Sequence, residues 1–221
     1  MSAVVDYASL KTAFTRYAVF DDVIDAFDTF LSLSENRINR DLRVPEMVES
    51  ATRAFVIGDN GQTGFATGDF GTSLPSAPIL EFISIAHSTG GALQEINPER
   101  LLRLGSHWDT SGGVPDVYAV AGNALLFAPN PTGQSVTFYY YREVPPLTPS
   151  APSNSVIDKY GGLYLYAVML EASSFLGDAE GEAAFMTMYE RTRQVVNQGG
   201  ARSETNPSNP PTPMPIQTGT A

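Results

Sequence analysis

Residues 156–176 have the sequence VIDKYGGLYLYAVMLEASSFL, in which apolar side chains occupy most sides of a predicted helix. A helix that is apolar all round is buried or contacts two neighbours. Gly177 and Asp178 predict the end of this helix and an N-cap for another. The apolar stripe of that next helix consists of Phe185, Met188, Tyr189, Thr192, Val195 and Val196. The sequence therefore predicts two consecutive helices here, of which the first is buried.

The N-terminal segment also has helical periodicity. The apolar positions of a first short helix are Tyr7, Leu10, Phe14 and Tyr17. Asp21 and Asp22 favour the start of a second helix, and Pro45 marks its end. The apolar positions of this second helix are Val23, Ile24, Phe27, Phe30, Leu31 and Ile38. We expect the two helices to pack as a hairpin and to join the C-terminal helices in one bundle.

The middle of the chain, from about Met47 to Tyr141, is rich in glycine, proline and β-forming residues. The β-forming runs are Arg53–Ile57, Ile79–His87, Val117–Val120, Ala124–Phe127 and Val136–Tyr141. Residues 89–91 and 121–123 predict hairpin turns, and Pro98–Arg103 predicts one helical turn. Several short strands at this spacing indicate a small β-sandwich or β-barrel.

These segments predict an α+β fold with four parts. Residues 1–46 form the N-terminal helices of a bundle, residues 47–152 form an inserted β module, and residues 153–197 form the C-terminal helices. Residues 198–221 are expected to be a flexible proline-rich arm, because they contain few large apolar groups. The prolines of a stiff connector out of the β module are Pro145, Pro146, Pro149 and Pro152.

Composition excludes several classes of function. The chain of 221 residues contains no cysteine, which rules out thiol nucleophiles, disulfides and cysteine-bound metals. Its net charge of −11 argues against tight binding to DNA, although an acidic channel wall would keep a duplex from sticking. Simple solubility is the plainer explanation of that charge. No apolar run is long enough for a membrane span, and the N-terminus lacks the pattern of a secretory signal.

Motifs for catalysis, metal binding or cofactor binding are not recognised in the sequence. His87 and His107 lack the spacing of a zinc site, and no Gly-x-Ser-x-Gly motif or P-loop occurs. Asp59 and Asp69 lie in a glycine-rich run that does not match a calcium-binding EF-hand, so a loop is expected there. We therefore predict no catalytic, metal or cofactor residue, and a protein that is not an enzyme.

Two features are candidate contact sites. Arg37, Arg40 and Arg43 either complement the dipole at a helix end and pair with Glu35 and Asp41, or contact a partner protein or a phosphate backbone. The aromatic run at residues 138–141 alternates between both faces of a strand, which suits either a buried core or a subunit contact.

Three stretches together resemble a known family: residues 30–47, residues 113–129 continued by 136–141, and residues 154–178. Their order is similar to that of the head-to-tail adaptor proteins of tailed bacteriophages, especially short-tailed ones, from about Ser9 to Val196. The resemblance implies a helical bundle with an inserted β module. It also implies a ring of about twelve copies in the virion neck, assembled in the host cytoplasm under the portal protein.

The same resemblance implies partners. DNA would pass through the ring without specific binding during genome ejection, and the ring would offer a platform to the tail nozzle or other tail proteins. A C-terminal extension often docks on the portal, which suggests Gln198–Ala221 as a docking arm. The candidate contacts within this arm are Pro210, Pro211, Pro213 and Pro215. No membrane partner is expected.

Two alternatives belong to other classes of protein. A carbohydrate- or protein-binding β module on a helical stalk would need an exposed aromatic platform, supplied by Trp108, Tyr139, Tyr140 or Tyr141. A cell-wall hydrolase would need an acid with a raised pKa close to a second carboxylate.

Overall fold

A computed structural model describes residues 3–17, 21–54, 62–64, 78–89, 91–103, 114–121, 124–129 and 135–204. The helices are α1 (Tyr7–Thr15), α2 (Asp21–Asp25), α3 (Phe27–Asp41), α4 (Pro98–Arg103), α5 (Ser155–Leu176) and α6 (Ala179–Glu204), with a 3₁₀ helix at Pro45–Met47. The strands are β1 (Val48–Ala54), β2 (Gln62–Gly64), β3 (Ile79–His87), β4 (Gly91–Ala92), β5 (Gln94–Glu95), β6 (Val117–Ala121), β7 (Ala124–Ala128) and β8 (Ser135–Arg142). The protein is α+β, as predicted.

Helix α1 begins at a capping box. The carboxylate of Asp6 accepts the N–H of Ser9 at 2.7 Å, and the Ser9 hydroxyl accepts the N–H of Asp6 at 3.0 Å. Three of the four predicted apolar positions are buried, namely Tyr7, Leu10 and Phe14. Tyr17 is instead 46% exposed, because the helix ends at Thr15 and the chain leaves the periodic face.

The second predicted helix is divided into two. Helix α2 ends at Asp25, Ala26 has non-helical angles (φ −83°, ψ 3°), and α3 begins at Phe27. The Phe27 ring lies 5.6 Å from the ring of Tyr7 and 5.3 Å from that of Phe14, measured between centroids. Aromatic packing against α1 therefore accompanies the break, which periodicity within α2 and α3 did not reveal.

Helices from both ends of the chain share one hydrophobic core. Its largest fully buried side chains include Phe14 and Phe27 from the N-terminal helices, and Tyr164 and Tyr189 from α5 and α6. Helix α5 contacts α1, α3 and α6, which explains why its sequence is apolar on most sides.

Local signals mark both ends of α5, and only the signal at its C-terminal end was predicted. The Asn154 side chain accepts the N–H groups of Val156 and Ile157 at 3.1 and 2.9 Å, so it is the N-cap. Gly177 ends the helix in the left-handed conformation, at φ 67°. The Asp178 carboxylate then accepts the N–H of Gly181 at 3.0 Å in the first turn of α6.

The strands form two four-stranded sheets, in the orders β1-β8-β3-β4 and β2-β7-β6-β5. All neighbouring strands are antiparallel except β5 and β6, which are parallel. Strand β3 pairs antiparallel with β4, and β6 pairs antiparallel with β7, as the predicted hairpins at residues 89–91 and 121–123 require. Residues 90, 122 and 123 lie outside the described part of the chain. The predicted helical turn at Pro98–Arg103 is α4.

Residues from both sheets meet in a second hydrophobic core. It includes Ile85 and Phe138 from the first sheet and Leu125 and Phe127 from the second, with the rings of Phe127 and Phe138 6.4 Å apart. Strand β8 turns alternate residues inward, so Phe138 and Tyr140 are buried while Tyr139 is 44% exposed.

One strand prediction was wrong in its position. The first strand is Val48–Ala54 rather than Arg53–Ile57, of which residues 55–57 lie outside the described part of the chain. Strand β1 pairs along its whole length with β8, from Val48 opposite Tyr141 to Ala54 opposite Ser135. This pairing is distant in sequence, and it recruits polar residues such as Glu49 and Ser50 that have weak β preference on their own.

The predicted start of the C-terminal arm also requires correction. Helix α6 continues to Glu204, so residues 198–204 are helical rather than part of a flexible arm. Gln198, Ala201 and Arg202 favour helix, and the first proline comes only at position 207. The remainder of the predicted arm, residues 205–221, lies outside the described residues.

Candidate assembly surfaces

Two polar side chains of α3 hold the connector that leads out of β8. The Glu35 carboxylate accepts the N–H of Leu147 at 2.7 Å, and Asn39 Oδ1 accepts the N–H of Val144 at 2.9 Å. Glu35 is only 8% exposed, and burial raises its pKa to about 7 against the opposing effect of the Leu147 N–H. The connector therefore has two fixed points on α3.

The other end of the connector is fixed on α5. The amide nitrogen of Asn154 donates to the carbonyl of Pro145 at 2.9 Å and to the Tyr164 hydroxyl oxygen at 3.0 Å. The Ser155 hydroxyl donates to the carbonyl of Glu46 at 3.1 Å, just before β1. Hydrogen bonds thus hold the chain at both crossings between helices and sheets.

The predicted arginine cluster is used partly within the chain. Arg37 forms an ion pair with Glu171 at 2.6 Å, which joins α3 to α5. Arg43 pairs with Glu81 of β3 at 2.8 Å and lies 5.8 Å from the centre of the Tyr141 ring. Only Arg40 projects outward, with 69% of its side chain exposed beside Asp41 at 2.9 Å. Whether these arginines contact a partner stays a prediction.

Other predicted positions lie outside the described residues. They are Asp59, Asp69, His107, Trp108, Pro210, Pro211, Pro213 and Pro215. Of the aromatic platform considered for a binding module, Tyr140 is buried and Tyr139 is half-exposed. Glu35 is an acid with a raised pKa, as a hydrolase would need, but its contact is the Leu147 N–H and it is buried in the helical core.

Two cross-strand rows on one face of the first sheet consist of uncharged side chains at the surface. Strand register places Ser50, Tyr139 and Ser84 in one cross-strand row, and Thr52, Thr137 and Ala86 in the other. The next row on that face, beyond Tyr139, pairs Tyr141 with Glu81, whose carboxylate is bound to Arg43. The hydroxyls of Thr52 and Thr137 are 2.9 Å apart and hydrogen-bonded. Ile83, at a register shift in β3, is 45% exposed beside this face. The residues of the two uncharged rows, together with Ile83, are called the outer sheet face below.

A groove of about 410 Å³ runs between α5 and α6. The residues that line it, called the helical groove below, are Tyr166, Met188, Arg191, Thr192 and Val195. The predicted apolar stripe of α6 is therefore only partly buried: Tyr189 and Val196 are in the core, while Met188 is 46% and Val195 is 65% exposed. Helix α6 packs mainly on α5, so one side of the stripe faces outward.

The described residues hold no group of three or more His, Cys, Asp or Glu side chains placed to bind a metal ion. Among the helices described here, none is long and apolar enough to cross a membrane. His87 is buried, and its Nδ1 accepts the N–H of Thr89 at 3.1 Å at the end of β3. This hydrogen bond lies in the turn that follows β3.

The model of the SU10 adaptor protein family matches residues 5–211 of this chain. The chain belongs to that family. The resemblance to phage head-to-tail adaptors is confirmed at the family level, and it extends further along the chain than the predicted range of Ser9 to Val196. Membership of an adaptor family indicates a structural role. No curated protein matches the chain.

Sequence reasoning missed the residues that join helices to sheets. Asn154 directly precedes a helix with Ser155 at its start, so an N-cap pattern was available to identify it. Glu35 and Asn39 offered no comparable pattern, because their partners Leu147 and Val144 are more than 100 residues away in sequence. Only the folded chain brings those groups together.

Proposed function

We propose that this protein is the head-to-tail adaptor in the neck of a short-tailed bacteriophage. In this role it is a component of the virion. The family match over residues 5–211 is the observation on which this proposal rests. In the proposed role, copies form a ring of about twelve under the portal, extend the DNA channel and present a platform to tail proteins. The protein has no catalytic function in this role, and it assembles in the host cytoplasm.

The proposed architecture is one helical bundle with a β module inserted between its halves. The core shared by α1, α3, α5 and α6 supports the bundle, and the core shared by the two sheets supports a sandwich. The hydrogen bonds of Glu35, Asn39 and Asn154 to the connector between these parts support a fixed relation between them. A ring that encloses a DNA channel needs rigid subunits, because each subunit must present its two contact faces at a constant angle.

The net charge of −11 suits a wall along which DNA slides without binding. The C-terminal arm, with Pro210, Pro211, Pro213 and Pro215, is the proposed contact to the portal. Arg40 is the exposed member of the arginine cluster and the best placed of the three for an external partner.

Mass photometry of the full chain, alone and mixed with the portal protein encoded by the same genome, tests the proposal. We expect a discrete complex that adds about twelve copies to the portal ring. A chain lacking residues 205–221 should lose this complex while keeping its circular dichroism spectrum and melting temperature. A full chain that remains separate from the portal at every concentration would refute the adaptor role.

A further inference from the structure

The outer sheet face, as defined above, consists of uncharged residues, although the chain as a whole is strongly acidic. Its cross-strand rows, Ser50–Tyr139–Ser84 and Thr52–Thr137–Ala86, contain no ionisable carboxylate or cation. Each copy has a net charge of −11, so a second copy that covered an acidic surface would bury like charges together. These two uncharged rows, with Ile83 and Tyr139 nearly half exposed, reduce that penalty and offer apolar area. The Glu81 carboxylate in the next row is already paired with Arg43.

The helical groove has complementary properties. Met188 and Val195 supply exposed apolar walls, and Tyr166 forms part of the floor on α5. Gly162 lies one turn before Tyr166, and a Cβ there would meet nothing within 4 Å, so this side of α5 is open. Within the described part of the chain, Arg191 has no ion-pair partner, which leaves a cation at the edge of an apolar groove.

We infer that the helical groove of one copy receives the outer sheet face of a second copy. In this contact Ile83 and Tyr139 enter the groove between Met188 and Val195, and the Arg191 guanidinium lies over the Tyr139 ring. A cation over a tyrosine face is attracted by the ring quadrupole and needs no opposing carboxylate. Charge therefore favours this pairing over contact between acidic surfaces of the two copies.

The contact is heterologous, because the two surfaces belong to different parts of the chain. Each copy offers one groove and one sheet face, so contacts repeat from copy to copy and close into a ring when the rotation permits. This inference rests on the proposed adaptor function and specifies which surfaces join neighbouring copies in the ring.

Cysteine cross-linking provides a clean test, because the full chain contains no cysteine. Ser84→Cys places a thiol beside Tyr139 on the sheet face, and Thr192→Cys places one in the groove. With a short bismaleimide, we expect a two-chain product when the single variants are mixed, and a ladder of products from the double variant. Thr12→Cys on α1, paired with Thr192→Cys, is the matched control and should give no ladder.

The outcomes separate this inference from the adaptor role. A single variant that cross-links to itself as well as the mixture does would overturn the heterologous contact in favour of a two-fold dimer. Portal-bound rings that yield no Ser84–Thr192 product above the control would overturn the contact while leaving the adaptor role intact. A ladder from a chain that never binds a portal would support the contact and refute the adaptor role.

A charge placed in the groove gives a second readout. Val195→Asp should reduce the cross-linked product about tenfold, because it sets a carboxylate against an apolar partner. Leu33→Asp, at a position 48% exposed on α3, is the control and should leave the product unchanged. Equal yields from both variants, at unchanged melting temperatures, would contradict the assignment of the groove.

Discussion

The two sides of helix α5 differ sharply in how closely the rest of the chain approaches them. On the closed side, Leu163, Tyr164 and Val168 are fully buried, and the backbone of Val4 crosses at Gly161. On the open side, Gly162 has free space and Tyr166 lines the groove with α6. One continuous apolar sequence thus serves two purposes: its closed side stabilises the subunit, and its open side remains available for contact.

The largest expected effect comes from Gly161→Ala. A Cβ at this position would lie 1.7 Å from the carbonyl oxygen of Val4, so the N-terminal segment must shift. We expect a loss of about 3 kcal/mol in the free energy of unfolding, measured by urea denaturation.

Gly162→Ala is the matched control for that experiment. This variant should instead raise the free energy of unfolding by about 0.5–1 kcal/mol, because alanine favours helix and the site is open. If both alanine variants shifted stability in the same direction, the closed and open sides of α5 would not differ as described.

The buried carboxyl of Glu35 should make stability depend on pH. Burial raises its pKa from 4.5 to about 7, so the folded state holds a proton that the unfolded chain releases. The contribution of neutral Glu35 to the free energy of unfolding is therefore fully present below pH 4.5 and is lost as the pH rises through about 7. Glu35→Gln keeps the acceptor for the Leu147 N–H and should be more stable than the native chain by about 2 kcal/mol at pH 8.

The comparison between pH 5 and pH 8 is the informative one for Glu35. The advantage of Glu35→Gln should shrink as the pH falls, because the native carboxyl is then also neutral. Glu190→Gln, at a surface ion pair with Arg193, serves as the control for exchanging a carboxylate for an amide at an exposed position. If the free energies of unfolding of Glu35→Gln and the native chain differed by the same amount at all pH values, this would argue against a raised pKa of Glu35.

The smallest expected change in stability comes from replacing an asparagine on α3, and a second asparagine on the same helix serves as its control. Asn39→Ala removes the acceptor of the buried Val144 N–H and should cost about 1 kcal/mol. Asn36, one turn earlier, is exposed, and Asn36→Ala should change the unfolding midpoint little. Thermal melts of both variants, followed by circular dichroism, measure the difference; equal losses would mean that the connector is not held through Asn39.

The sequence predicted much of the fold but little of the surface. Strand β3 was located at both ends, and the starts of β6 and β7 were also correct. Gly177 and Asp178 were identified as the end and the start of consecutive helices. For the surface, Tyr189 and Val195 were predicted to lie in one amphipathic stripe on α6, and nothing in that pattern distinguished the buried Tyr189 from the exposed Val195.

By itself, the sequence determined the α+β class, the helix boundaries that depend on caps, and the hairpins whose turns are local. These features arise from residues three or four positions apart, so their physical cause is present in any short window of sequence. Only the tertiary structure decided where β1 lies, where the helix breaks at Ala26, and which side of α5 stays open. Those features depend on strand pairing, ring packing and chain crossings between distant segments, and a local pattern cannot encode them.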